Sequence, residues 1–139
     1  MSASPPVASP IVLLVEGDIV TRHPLAQYLR ECGFTVFEVA SGEEAMHALQ
    51  APDVAIEVVL ADMTTPGSGF ALRHWIRGHD PAIEVILAGS LERAVERAGE
   101  LCKEGPALAK PYHHHLVLDH IRQALARRER HGAAKNQPS

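Results

Sequence analysis

Short apolar runs recur along the chain and predict five buried strands. The runs lie at residues 11–15, 35–39, 58–62, 84–87 and 106–109. Apolar runs of about four to eight residues, bounded by Gly, Pro or acidic residues, are typical of strands covered on both faces of a parallel sheet. The run at 35–39 is the one that alternates in part between apolar and polar residues.

The segments between these runs carry apolar residues at helical spacing. The clearest helix is 91–102, where Leu91, Ala94, Val95 and Ala98 follow the i, i+3, i+4, i+7 pattern. The other predicted helices are 21–32, which ends before the C-cap residue Gly33; a helix from the capping box of Ser41 and Glu44 to just before Pro52; 70–77; and 116–128.

Strands and helices therefore alternate five times along the chain. Such alternation implies a parallel sheet with helices on both faces and right-handed crossovers. We expect an α/β three-layer sandwich of five β-α units, with its chemistry at the carboxyl ends of the strands. A length of 139 residues fits one domain. We place the domain at 10–126, between a flexible arm at 1–9 and a basic flexible tail at 127–139.

Composition narrows the class of protein. Hydrophobic residues make up 46% of the chain and aromatic residues 4%, which predicts an aliphatic core. No apolar run approaches the length that crosses a bilayer, and residues 1–10 lack a signal-peptide pattern. We therefore expect a cytoplasmic protein with no membrane partner. Cys32 and Cys102 are isolated, so small buried side chains are favoured over a disulfide or a zinc site.

Charge is distributed unevenly along the chain. The net charge is −4, but residues 1–121 carry 16 acidic against 8 basic residues, and residues 122–139 carry 1 against 5. The basic residues of the tail are few and have no aromatic residues between them. We interpret the tail as a solvated helix end, and we expect no nucleic-acid partner.

Charged residues follow three of the predicted strands. Glu16 and Asp18 follow the first strand, Asp62 ends the third, and Lys110 follows the fifth. Clustered carboxylates repel one another unless a cation neutralises them, and Mg²⁺ prefers oxygen ligands. A lysine near such a cation can hold a phosphoryl group. The set suggests phosphoryl transfer to a carboxylate, whereas the simpler alternative for Asp62 alone is a turn or helix cap.

The chain resembles the receiver domain of bacterial two-component response regulators over about residues 11–125. Three motifs in order carry the resemblance: the acidic turn Glu16-Gly17-Asp18, the motif Asp62-x-x-x-Pro66, and Lys110-Pro111 followed by Tyr112. The resemblance implies a flavodoxin-like (βα)5 fold, with a parallel five-stranded sheet of order 2-1-3-4-5.

The resemblance also implies the chemistry of the site. Asp62 would accept a phosphoryl group from a sensor histidine kinase, a phosphotransfer protein or a small phosphodonor, and Lys110 would contact the phosphoryl oxygens. Glu16 and Asp62 would bind Mg²⁺, with Asp18 as an additional candidate ligand. The chain would not be an enzyme in its own right.

The sequence departs from the family pattern at several positions. Gly17 stands where the family has a second acid that ligates the metal, and Asp18 is one residue too far along to be assumed a substitute. One pair of unit charges at about 4 Å contributes about 1 kcal/mol in water and about 4 at a surface-like dielectric. Losing this ligand is therefore expected to weaken Mg²⁺ binding by roughly one to three decades.

The switch positions depart from the pattern as well. Ala88 stands where the family has a Thr or Ser that binds the phosphoryl group, although Ser90 follows closely. Ala107 stands where a switching Tyr or Phe is usual, so the usual coupling between these two positions is predicted to be absent. The turn at 66–69 is one residue shorter than usual, which predicts a reshaped loop beside Asp62.

Two hypotheses of different class follow. We favour a stand-alone, inefficient phosphoacceptor with an atypical switch, because no output domain follows residue 126. The alternative is a degenerate receiver that binds its partner independently of phosphorylation. A cofactor-binding flavodoxin-like protein is disfavoured, since no Gly-rich phosphate loop follows the first or third strand.

The resemblance also locates partner surfaces. It implies a downstream protein on the surface of the fourth helix, fifth strand and last helix, and a homodimer through the last helices. The tract His113-His114-His115 is interpreted as a solvated helix start rather than a metal site.

Overall fold

The structure is a computed structural model that describes residues 9–90, 108–110 and 114–136. Its strands are β1 (Ile11–Val15), β2 (Thr35–Val39), β3 (Val58–Asp62), β4 (Glu84–Ser90) and β5 (Leu108–Lys110). All neighbouring strands pair in parallel, in the order β2-β1-β3-β4-β5. The predicted fold class and strand order are thereby confirmed.

The described helices lie between these strands and after them. They are α1 (Ile19–Glu31), α2 (Gly42–Leu49), α3 (Phe70–His79) and a closing helix (His114–Asn136). The helix predicted at 91–102 and the position Ala107 lie outside the described residues. No helix among the described residues has an apolar stretch long enough to span a membrane.

Two aliphatic clusters, one on each face of the sheet, form the core. Alternate residues of β1 supply them, because successive side chains of a strand point to opposite faces. Val12 and Leu14 join the cluster against α1 and the closing helix, whereas Leu13 and Val15 join the cluster against α2 and α3. All four side chains are fully buried, and each stabilises the fold by about 1.5–3 kcal/mol. This double coverage gives the three-layer sandwich.

Local hydrogen bonds fix where the helices begin. The Asp18 side chain accepts the Val20 N–H and so caps α1 two residues earlier than the predicted start. At α2 the Ser41 hydroxyl accepts the Glu44 N–H at 3.2 Å, as the capping box predicts. The Glu44 carboxylate reaches one residue further back than predicted, because it accepts the Ala40 N–H at 2.5 Å.

The closing helix is longer than predicted. It runs to Asn136, whereas the sequence pattern predicted an end near residue 128. Two long-range contacts hold this helix at residues 127 and 128. Arg127 Nε donates to Glu84 Oε1 at 3.0 Å, and Arg128 donates to the Ala82 carbonyl. These contacts pin the helix beside the start of β4, and the Ala and Arg residues that follow are strong helix formers.

Candidate functional site

Two buried carboxylates meet where β1 and β3 end. Asp62 is the last residue of β3 and is 1% exposed, and Glu16 follows β1 directly and is 2% exposed. The strands are neighbours, with Val15 paired to Ala61. A buried carboxylate is costly unless hydrogen bonds or charges compensate it. The partners of these two side chains therefore decide what the site can do.

One threonine hydroxyl lies between the two acids. Thr65 Oγ1 is 2.8 Å from Asp62 Oδ2 and 3.4 Å from Glu16 Oε2. The same oxygen accepts the Gly17 N–H at 3.0 Å. Thr64 adds a second hydroxyl, which donates to Asp62 Oδ2 at 2.6 Å. Asp62 Oδ2 is thus held by two hydroxyl groups from the turn that follows it.

The third acid of the predicted set has a different role. Asp18 is exposed, and its two carboxylate oxygens accept the Val20 N–H and the Thr21 hydroxyl, each at 3.0 Å. Its own N–H donates to Glu16 Oε2 at 3.2 Å. Asp18 therefore caps α1 and supports Glu16 through its backbone.

Gly17 leaves room beside the acids. A Cβ atom at this position would lie 3.4 Å from the Ala40 carbonyl oxygen and 3.7 Å from Thr65 Oγ1, which are ordinary contacts. The φ angle of Gly17 is not positive. A side chain at residue 17 would thus fit both the space and the backbone, and the nearest side chain would be that of Thr65.

The residue of β4 that lies opposite Asp62 carries no hydroxyl. Ala88 pairs in register with Asp62, is fully buried, and belongs to the apolar cluster under the closing helix. Its carbonyl accepts the Met63 N–H at 2.7 Å. Ser90 ends β4, and its backbone pairs with Lys110, the last residue of β5. The backbone of Lys110 thus reaches the same edge of the sheet, two strands or roughly 10 Å from β3.

The loop after β3 is anchored to α2. The Gly42 N–H donates to the Pro66 carbonyl at 2.8 Å, and Gly67 has a φ of +75°. A Cβ atom at Gly42 would lie 1.8 Å from the Gly67 carbonyl oxygen, so the loop backbone needs a glycine at this position of α2. The loop that carries Thr64 and Thr65 is therefore fixed at both ends.

A cluster of ion pairs around Glu38 on β2 contacts the backbone of the acidic site. Arg22 Nε and Arg30 Nη1 contact Glu38 at 3.1 and 3.0 Å, and His23 Nδ1 lies at 3.2 Å. Partial burial alone would raise the pKa of Glu38, but the hydrogen bonds from His23, Arg22 and Arg30 outweigh it and lower the pKa below 4.5. Arg22 also donates to the Glu16 carbonyl at 2.8 Å, which links this cluster to the acidic site.

The donor set at the edge suits Mg²⁺. This ion commonly binds through one or two carboxylates and keeps several waters, and Glu16 and Asp62 supply two buried carboxylates. Within the described part of the chain, no group of three or more His, Cys, Asp or Glu side chains is arranged to hold a metal. The buried carboxylates available to a cation at this edge are those of Glu16 and Asp62.

Sequence reasoning placed Glu16 and Asp62 at this edge but missed both threonines. The available signal was the pair Thr64-Thr65 directly after Asp62, since Ser and Thr in turns often bond to neighbouring polar groups. The contact of Thr65 with Gly17 could not be anticipated in this way, because it spans 48 residues of chain.

Comparisons with known proteins agree with this architecture. The model of a family described as the response regulator receiver domain matches residues 12–125. The chain is 32% identical over 124 residues to a cyclic di-GMP phosphodiesterase of Thermotoga maritima, and 32% identical over 125 residues to the C4-dicarboxylate transport transcriptional regulatory protein DctD of Rhizobium meliloti. These alignments cover 86% and 87% of the chain but 32% and 26% of the relatives, which are therefore much longer.

A solved structure supports the fold in the same way. The signal receiver domain of a putative LuxO repressor protein from Vibrio parahaemolyticus superposes with a TM-score of 0.77 at 22% identity. The superposition covers 94% of the chain and all of that domain.

Proposed function

The chain belongs to the response regulator receiver domain family, and we propose that it accepts a phosphoryl group on Asp62 in two-component signal transduction. The donor would be a sensor histidine kinase or a phosphotransfer protein, in the cytoplasm. The observation that carries the proposal is the buried carboxylate of Asp62 at the carboxyl end of β3, adjacent to a second buried acid, Glu16.

The proposed step is a substitution at phosphorus. An Asp62 carboxylate oxygen forms a bond to the phosphorus of a phosphohistidine, the P–N bond breaks, and its electron pair stays on the imidazole nitrogen. The hydroxyls of Thr64 and Thr65, at 2.6 and 2.8 Å from Asp62 Oδ2, hold the carboxylate in one orientation before the donor arrives. Such positioning is a large part of catalysis of phosphoryl transfer.

Glu16 and Asp62 would hold Mg²⁺, which supplies positive charge to the acids and to the incoming phosphoryl oxygens when bound. Lys110 would contact those oxygens, and the position of its backbone at the same edge supports this role. Gly17 leaves the cation without a ligand from residue 17, so we propose weak binding and inefficient phosphorylation.

A second candidate function is phosphorylation-independent binding of a partner protein. The observation that favours it is Ala88, which has no hydroxyl for a phosphoryl group and lies fully buried in the apolar cluster. The proposed partner surface includes β5 and the closing helix, which also offers a route to a homodimer. We propose no nucleic-acid partner and no enzymatic activity for the chain itself.

Intact-protein mass spectrometry tests the choice. The chain is incubated with acetyl phosphate and Mg²⁺ beside Asp62→Asn, and beside Asp18→Asn as a control that alters an exposed acid of the same edge. We expect one phosphoryl group on the parent and on Asp18→Asn, and none on Asp62→Asn. No adduct on the parent, with an acyl-phosphate trap in use and the fold intact, would favour the binding module instead.

A further inference from the structure

We propose that Thr65 is a positioning residue that holds the Glu16 and Asp62 side chains together beside Gly17. Its hydroxyl joins the Glu16 and Asp62 side chains, so the acidic edge stays assembled when no cation is bound. The inference rests on the proposed function in one respect, namely that these two acids bind a divalent cation.

The hydrogen bonds of Thr65 Oγ1 define the bridge. A hydroxyl has one proton to donate and lone pairs to accept. The Gly17 N–H donates to the oxygen at 3.0 Å, so the hydroxyl proton is directed to the acids. Asp62 Oδ2 at 2.8 Å accepts this proton, whereas Glu16 Oε2 at 3.4 Å lies beyond the usual range of about 2.5–3.0 Å and makes a weaker, secondary contact. One hydroxyl therefore contacts both carboxylates and the backbone of residue 17.

The location of Thr65 matches the space that Gly17 leaves. A Cβ atom at residue 17 would contact Thr65 Oγ1 at 3.7 Å and Thr65 Cγ2 at 3.8 Å. Thr65 is therefore the nearest side chain to that position, and the nearest atom is the Ala40 carbonyl oxygen at 3.4 Å. Thr65 is itself 5% exposed, and a β-branched side chain has few χ1 rotamers. The small residue at 17 and the bridging hydroxyl at 65 thus form one unit across two loops.

Thr64 supplies a matched comparison within the same turn. Its hydroxyl donates to the same atom, Asp62 Oδ2, at 2.6 Å, but Thr64 is exposed. The hydrogen bonds described for Thr64 Oγ1 do not include Glu16 or Gly17. Removing either hydroxyl with a Thr→Val change deletes one bond to Asp62, whereas only Thr65→Val breaks the bridge between the acids.

The test is thermal unfolding of the full chain in EDTA and in saturating Mg²⁺. In EDTA we expect Thr65→Val to lower Tm by roughly 4–10 °C, because a buried hydrogen bond to a charged group is lost. Thr64→Val should lower Tm by less than half of that amount. Added Mg²⁺ should raise the Tm of Thr65→Val by several degrees more than that of the parent, since the cation replaces the missing bridge. Thr65→Ser, which keeps the hydroxyl, should match the parent in both conditions.

The outcomes separate this role from a merely structural one. A Thr65→Val variant with the parent's Tm in EDTA overturns the proposal, as does a Mg²⁺-induced gain no larger than the parent's. A Thr65→Ser variant as unstable as Thr65→Val overturns it too, because the methyl group rather than the hydroxyl would then matter. These midpoints require no phosphorylation, so failure of Asp62 to accept a phosphoryl group would be seen separately.

Discussion

The two sides of the acidic site, which we call its walls, carry different kinds of side chain. On the side of β1 and β3, Glu16 and Asp62 are buried and share a hydroxyl from Thr65. On the side of β4, the residue in register with Asp62 is Ala88, whose side chain is part of the apolar core under the closing helix. The first wall thus presents two buried carboxylates, whereas the second presents the methyl group of Ala88.

If the proposed function holds, this difference assigns acceptance and transmission of a phosphoryl group to different strands. Acceptance would use the acids at the ends of β1 and β3, which one loop holds together. Transmission would use a side chain of β4 that binds the phosphoryl group. Substitutions on β4 can therefore weaken the second property and leave the first in place.

The largest expected effect is at Gly17. Gly17→Asp should raise Mg²⁺ affinity by roughly one to three decades, because it adds one charged oxygen ligand beside Glu16 and Asp62. The backbone accepts the change, since the new Cβ would lie no closer than 3.4 Å to any neighbour. Titration calorimetry with Mg²⁺ measures the effect.

Gly17→Asn is the matched control for this variant, because it has the same shape without the charge. If Gly17→Asp bound Mg²⁺ no more tightly than Gly17→Asn, Mg²⁺ affinity would not be limited by a ligand missing at residue 17. The proposed reason for weak Mg²⁺ binding beside β1 and β3 would then be wrong.

The sequence predicted most of the fold because the strands are strongly apolar and the turns are marked. β1 and β3 have the predicted ends, and the strand order agrees. The prediction failed where an element depends on distant partners. In the closing helix, Arg127 and Arg128 contact residues 43 and 46 positions earlier, and no local pattern contains that information.

The candidate site, too, was predictable only where local sequence patterns and strand order determine it. Glu16 and Asp62 are identified by their place after apolar runs, so the edge where they meet follows from the topology. Thr65 was missed because its role depends on the register between β1 and β3, which brings it to Gly17 and Glu16 across 48 and 49 residues. Ala88 was noted as a lost hydroxyl, but its burial under the closing helix required the structure.

The second expected effect concerns the wall formed by β4. Ala88→Thr should make phosphorylation protect the backbone amides of β4 from hydrogen exchange by about tenfold or more, because a hydroxyl bond to a charged group contributes about 1.5–3 kcal/mol. The added atoms should also cost about 1–3 kcal/mol of stability through overpacking. Hydrogen exchange with mass spectrometry, with and without acetyl phosphate, measures the protection.

Ala88→Val separates the hydroxyl from the added volume, since it has nearly the same shape as Ala88→Thr. We expect Ala88→Val to show the overpacking cost without the added protection on phosphorylation. Equal protection in the two variants would mean that β4 responds through packing, and the proposed division between the walls would be wrong.

The smallest effect is expected at Glu38, whose carboxylate is bound by basic side chains instead of hydroxyl groups. Its pKa lies below 4.5 because hydrogen bonds from His23, Arg22 and Arg30 outweigh the opposing effect of partial burial. The folded state thus favours the ionised form, so Glu38 stabilises the fold fully above pH 4.5, and this contribution is lost as the pH falls through the lowered pKa.

Glu38→Gln should therefore cost about 1 kcal/mol at pH 7, a modest value because His23 and Arg30 are substantially exposed. The cost relative to the parent should shrink as the pH falls below 4.5. Urea unfolding across this pH range measures it, with Glu31→Gln as an exposed control on α1. The Mg²⁺ affinity of Glu38→Gln should differ from that of the parent by a factor of about two at most. This is well below the tenfold change that corresponds to about 1.4 kcal/mol. A larger change would mean that the ion pairs around Glu38 help to position Glu16, because Arg22 contacts both Glu38 and the Glu16 carbonyl.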